Sequence, residues 1–215
     1  MSVNGVGEKR SALILAGGLS RRMGQDKAWL ELGGMPLVER TARRVLPLVD
    51  ELIVSTNQPD RFESLLHRLP VAAQLVTDQT PGVGPLGGIA SGLSIASHDL
   101  VLVLAMDMPF VQTGLLSYMA ALAADFQAVV PKIPNARLGQ LVTEPLLAFY
   151  RRSCLASITA HLKAGDRRVV SFLSEVRTRW VLPEEIARFD PDFISFHNLN
   201  TPADWETAAV QFKPR

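Results

Sequence analysis

The chain of 215 residues is short of several things, and each shortage closes off a class of function. Its one cysteine, Cys154, excludes an internal disulfide and any cysteine-based zinc cluster, and it suits a reducing compartment. No apolar run is long enough to span a bilayer. The opening MSVNGVGEKR lacks the apolar middle of a signal peptide. We therefore expect residues 1–10 to be a disordered lead, residues 11–215 a single domain, and the compartment to be cytoplasmic. A formal net charge of +1 gives no case for a nucleic-acid or membrane surface. The four histidines, His67, His98, His161 and His197, fall on separate segments without metal-ligand spacing. There is no G-x-S-x-G and no plausible cysteine–histidine pair.

What is present is a rhythm. With 47% hydrophobic and 20% charged residues the chain has the balance of an ordinary globular protein. SALILA at 11–16, ELIVST from Glu51, AQLVTD ending at Asp78, DLVLVLAMD at 99–107 and QAVVP at 127–131 read as strands. Helical patterns follow Pro36, cover 60–69 and 87–97, and run from Pro109 to Ala124. The alternation implies βαβ units and an α/β fold with a mostly parallel sheet. Farther on, EPLLAFY, RTRWVL and FISFHNL read as strands, 153–164 as a helix, and Thr201 with Pro202 as the start of a last helix.

Two glycine clusters stand out. Gly82, Gly84 and Gly87 satisfy G-x-G-x-x-G, with Asp107 farther along, which is the pattern of a nicotinamide-dependent oxidoreductase. The context is wrong for it, because Thr80 and Pro81 intervene after Asp78 and Pro85 removes a backbone donor. The other cluster is LILAGGLSRRMGQDK at 13–27. It is no Walker loop, since Gly18 and Gly24 are too far apart and Lys27 is not followed by serine or threonine. Yet Ala16, Gly17 and Gly18 leave a first strand where open α/β sheets bind ligands, and glycines there let backbone N–H groups approach an anion. Arg22 and Lys27 can clamp a triphosphate as a planar fork plus a point charge.

Asp107 closes the most apolar strand in the chain. A carboxylate there needs a cationic partner, and magnesium, which takes few carboxylates and many phosphate and water oxygens, is a natural one. Capping the helix after Pro109 is the plain structural alternative. Glycines, an Arg/Lys pair and a metal carboxylate suffice for transfer to a phosphate nucleophile, which is already ionised and needs no general base.

The string LAGGLSRRMGQDK resembles the signature of molybdenum cofactor guanylyltransferase, the MobA family of nucleotidyltransferases. ELGGMPLVER, TDQTPGVGPLGGI, AMDMPFV, EPLLAFY, AGDRRV and FHNLNTPADW follow in the family's order. The resemblance implies a three-layer, Rossmann-like nucleotidyltransferase fold that binds GTP and magnesium and transfers GMP to molybdenum-bearing molybdopterin. It implies nucleotide contacts by Leu15, Ala16, Gly17 and Gly18, phosphate contact by Lys27, and both nucleotide and magnesium at Asp107. It further places Asp78 on the nucleotide and Gly84, Pro85, Leu86 and Gly87 on the base side. Ser55 aligns where the family often has asparagine, with Asn57 two residues on. Arg167, Arg168, Asn198 and Asn200 match segments lining the acceptor side. Transient contacts with molybdenum-insertion proteins and apo-molybdoenzymes go with such cargo. Neighbouring readings are a molybdopterin cytidylyltransferase and a sugar-phosphate nucleotidyltransferase.

Overall fold

The computed structural model describes residues 8–17, 26–77, 82–135 and 137–211. The opening apolar run becomes β1 (Arg10–Leu15). A 3-10 turn at Lys27–Trp29 leads into a small hairpin of β2 (Glu31–Leu32) and β3 (Met35–Pro36), which the sequence reading missed. Its turn uses Gly33 and Gly34 at φ of 59° and 75°, a region open to glycine at no steric cost. Then come α1 (Leu37–Val45), β4 (Glu51–Ser55), α2 (Glu63–Leu66), β5 (Ala72–Val76), α3 (Pro85–Ile95) and β6 (Leu100–Ala105). The second half holds α4 (Thr113–Ala121), β7 (Ala128–Asn135), β8 (Gln140–Thr143), β9 (Leu147–Arg151), α5 (Leu155–Lys163), β10 (Thr178–Val181), α6 (Pro183–Ile186) and α7 (Pro202–Gln211). Among the described residues, no helix is long and apolar enough to cross a membrane.

The main sheet has the order β10-β7-β9-β6-β1-β4-β5, with β8 paired to β7. β1 is parallel to both β4 and β6, β4 to β5, and β7 to β10; β9 runs antiparallel between β6 and β7. Side chains alternate across β1. Ala12 and Ile14 face α1 and α4 in one core layer, while Leu13 and Leu15 face α3 and α5 in the other. A third, smaller cluster joins Leu32 and Leu37 to Leu199 and Ala208, with Trp205 and Phe110 packed on it.

Several expected elements changed. The helix at 60–69 shrinks to a 3-10 turn at Pro59–Arg61 and the short α2. Pro70 follows, and the residue before a proline is biased away from helix. FISFHNL is not a strand: Ile194–Phe196 is a 3-10 turn. The Asp190 carboxylate accepts the N–H groups of Ile194 and Ser195 at 3.0 and 2.8 Å, offering the backbone a partner other than a sheet edge. The strand expected at 127–131 continues to Asn135, because Pro131 ends the pairing with β10 and β8 takes over from Lys132.

Two features fix β1 in place. At its N-terminal end the buried Glu51 carboxylate accepts from Ser11 Oγ, Gln74 Nε2 and both the N–H and Oγ of Ser97. Burial pushes its pKa up, but the Ser11 and Ser97 hydrogen bonds outweigh that and hold it below the usual carboxylate range. A depressed folded-state pKa adds stability above the unfolded value and loses it as pH falls through the folded one. Midway along, Gly92 of α3 sits on Leu13 so closely that a Cβ would lie 2.3 Å from Cδ2 and 2.9 Å from Cγ. Because Cγ is included, turning the end of the leucine does not relieve the clash.

Gly92→Ala is therefore expected to destabilise by about 1–3 kcal/mol through overpacking, despite alanine's better helix propensity. Urea unfolding measures it, and a neutral or stabilising result would contradict the close α3–β1 contact. Glu51→Gln should lower stability at neutral pH and flatten the loss on acidification; an unchanged acid limb would mean that Glu51 does not carry it.

Candidate active site

The connection from β1 through α1 to β4 and the one from β5 through α3 to β6 lie on opposite faces of the sheet. β1 and β6 are thus the neighbours between which the winding reverses, and open sheets place ligands in the crevice beyond the strand ends at such a point. The register defines its rim. Leu15 lies opposite Ser55 on one side and Ala105 on the other. Ala16 N donates to Ser55 O at 2.8 Å, and Met106 N to Leu15 O at 3.2 Å. Ala16 and Gly17, Ser55 to Asn57, and the turn carrying Asp107 therefore border one opening.

Leu15 and Ala16 have buried side chains, which leaves their backbone for any ligand. A Cβ on Gly17 would meet no atom of the other described residues within 4 Å, so among these residues its backbone is open to close approach. Ser55 is buried at the end of β4 and Asn57 is exposed at the rim. Gly18, Arg22 and Asp78 lie outside the described residues.

Lys27 and Asp107 meet across this opening. Asp26 accepts the Ala28 N–H and starts the 3-10 turn that carries Lys27 inward. Lys27 is 5% exposed, and its Nζ donates to Asp107 Oδ2 and to Asn200 Oδ1, each at 2.7 Å. Asp107 does not cap the following helix, since α4 begins at Thr113 with Gln112 in the cap position. It sits instead in a turn closed by Met108 N to Ala105 O, and its own carbonyl accepts from Leu199 N at 3.1 Å.

Among the described residues no group of three or more His, Cys, Asp or Glu could hold a metal unaided. One carboxylate whose Oδ1 accepts no hydrogen bond among those residues suits a cation such as magnesium, which takes most of its oxygens from substrate and water. Glu144 was missed by the sequence reading. It lies just before β9, which runs antiparallel to β6, so extending their register sets it opposite Asp107. Burial pushes its carboxyl up, the Leu146 N–H draws it down, and the Asp107 charge raises it further. The available signal was a carboxylate heading an apolar strand, the same signal that picked out Asp107.

The second glycine cluster opens α3. Gly84 occupies the cap position at φ 76° and ψ −163°, conformational space that is essentially glycine's alone, and Pro85 takes the first helical position. Leu86 points into the core and Gly87 is buried, so this turn offers backbone rather than side chains. Residues 77–81 separate the end of β5 from Gly82, unlike a dinucleotide fingerprint. Arg167 donates to the Gly82 carbonyl at 3.1 Å, which places it on this loop. Arg168 is tied to Asp166 instead, and that guanidinium holds the Asp166 carboxyl well below the usual range. Asn198 Oδ1 is buried without a partner among the described residues, beside a groove of about 390 Å³ lined by Phe110, His197 and Asp204.

Comparisons agree with this arrangement. The chain is 38% identical over 200 residues to a protein of Chloroflexus aggregans named probable molybdenum cofactor guanylyltransferase, covering 90% of each. It is 37% identical over 196 residues to the molybdenum cofactor guanylyltransferase of Syntrophotalea carbinolica, covering 91% of this chain and 89% of that one. The solved molybdopterin-guanine dinucleotide biosynthesis protein A of Archaeoglobus fulgidus aligns with a TM-score of 0.76 at 28% identity, over 94% and 97% of the two chains. The 4-diphosphocytidyl-2C-methyl-D-erythritol synthase of Anaerococcus prevotii shares the fold, with a TM-score of 0.72 at 16% identity. A family model described as MobA-like NTP transferase domain matches residues 12–179, and to that family of nucleotidyltransferases this chain belongs.

Proposed function

We propose that the protein transfers GMP from GTP to the terminal phosphate of molybdenum-bearing molybdopterin, releasing pyrophosphate and forming the guanine dinucleotide cofactor. The observation that carries this is the Lys27–Asp107 pair at the winding reversal, in a chain that matches relatives named guanylyltransferase along most of its length. An oxygen of the terminal phosphate attacks the α-phosphorus of GTP. The bond between that phosphorus and the α–β bridging oxygen breaks, and its electron pair leaves with pyrophosphate. The attacking oxygen is ionised at neutral pH, so no side chain has to remove a proton.

Positioning and charge neutralisation then remain as the protein's task. In this reading the Leu15, Ala16 and Gly17 backbone receives the phosphates, with Gly18 and Arg22 completing the loop. Lys27 neutralises charge on the α-phosphate and the leaving group. The turn at Gly84–Gly87 lies against the base, Asp78 and Ser55 border the nucleotide, and Asn57 flanks it. Arg167, Arg168, Asn198 and Asn200 line the acceptor side. A magnesium ion held by Asp107 would supply further neutralisation of the phosphates. The product is passed on through transient contacts with molybdenum-insertion proteins and apo-molybdoenzymes.

Incubation with each nucleoside triphosphate, magnesium and molybdopterin should release pyrophosphate with GTP. Release with CTP alone would reassign the base, and release with no triphosphate would overturn the transfer. Asp107→Ala should lower turnover by at least about a hundredfold, the scale of losing a main electrostatic stabiliser, while its melting curve stays cooperative. Full activity in that variant would remove Asp107 from the site. Lys27→Ala should raise KM for GTP and lower kcat together, whereas an unchanged rate would take Lys27 out of the clamp.

A further inference from the structure

We propose that Asn200 is a positioning residue for the transfer: it holds the Lys27 ammonium on Asp107, so that this carboxylate binds a divalent cation tightly only when a triphosphate draws Lys27 away. The inference rests on the nucleotidyl-transfer reading above and concerns the order in which its ligands enter. Lys27 is nearly removed from solvent at 5% exposure, and Asp107 and Asn200 are its hydrogen-bond partners among the described residues.

Asn200 is itself anchored. Its N–H and that of Thr201 donate to Asp204 Oδ2 at 2.8 and 2.7 Å, while Thr201 Oγ1 accepts the Asp204 N–H at 3.2 Å. One residue earlier, Leu199 N is bonded to the Asp107 carbonyl. The segment from Leu199 to Asp204 is therefore fastened both to the turn bearing Asp107 and to the first turn of α7, and it presents the Asn200 carbonyl to Lys27 from a fixed base.

Charge decides the consequence. With the ammonium 2.7 Å from Oδ2, a dication arriving alone at this carboxylate meets a positive charge at close range. A triphosphate supplies the negative charge that attracts the ammonium. Asn200 is neutral, so it orients Lys27 while opposing the pull of a phosphate less than a second carboxylate would. Cation and nucleotide thus strengthen each other's binding, and the coupling is reciprocal.

The test is binding without acceptor, using Mn²⁺ as an electron-spin probe together with GTP, on the full chain. Wild-type protein should bind Mn²⁺ weakly alone and more tightly with GTP. Lys27→Met keeps the buried stem and removes the charge; it should bind Mn²⁺ alone about tenfold more tightly and show a smaller gain when GTP is added. Asn200→Ala should shift both quantities in the same direction by a smaller factor. A residue that only stabilised the fold would weaken metal binding when truncated, not strengthen it. Nucleotide-free Mn²⁺ affinity that is unchanged or lower in Asn200→Ala overturns the proposal, even if GTP binds normally. Absence of GTP binding to wild-type protein overturns the transfer reading and this inference with it.

Discussion

β1 is hydrogen-bonded along both edges, with Ser11 to Leu15 pairing at once with β4 and β6. A strand with both edges and both faces occupied has to be apolar throughout, and 12–15 is Ala-Leu-Ile-Leu. The two neighbours are reached by helices on opposite faces, and at such a reversal open sheets leave a crevice beyond the strand ends. Gly92 tightens one face by letting α3 rest on Leu13, and the Glu51 cluster ties the opposite end to β4 and to the start of β6. The position of Gly17 and of Asp107 is set by these contacts before any ligand is considered.

Within the crevice a buried charge pair carries an energetic tension. Desolvating Lys27 is costly, and the Coulomb attraction to Asp107 together with the Asn200 hydrogen bond offsets the cost only while the geometry is kept. Such a pair contributes little net stability, but each member makes the other hard to lose. Glu144 across from Asp107 adds negative potential to the same mouth. A site built this way is electrically incomplete without ligand, which suits a reaction in which highly charged phosphates enter and leave.

Much of the frame was legible in the sequence because periodicity reports burial directly: β1, β4 and β6 come from short apolar runs that lead to Gly17, Ser55 and Asp107. The signature residues were legible for a different reason, since small residues, a lysine and a carboxylate have few joint uses. Less visible were features created by pairing rather than by local pattern. The β2–β3 hairpin is too short to show alternation, and β8 exists only because β7 offers it an edge. FISFHNL has strand-like composition, yet Asp190 just upstream caps its backbone and makes it a turn. The partners of Asn200 and Glu144 were hidden likewise, because both depend on register across the sheet and on where α7 docks.

The hydrogen bond from Lys27 to Asn200 joins residues separated by 173 positions. Closing so long a loop costs entropy that grows only slowly with length, but it postpones the contact until residue 200 has been made. The first strands can pair while the remainder is still being synthesised. The crevice, by contrast, cannot hold Lys27 until residue 200 has emerged. Completion of the site thereby waits for residue 200, and a chain stopped short of it has the scaffold of the enzyme without the anchor that fixes Lys27.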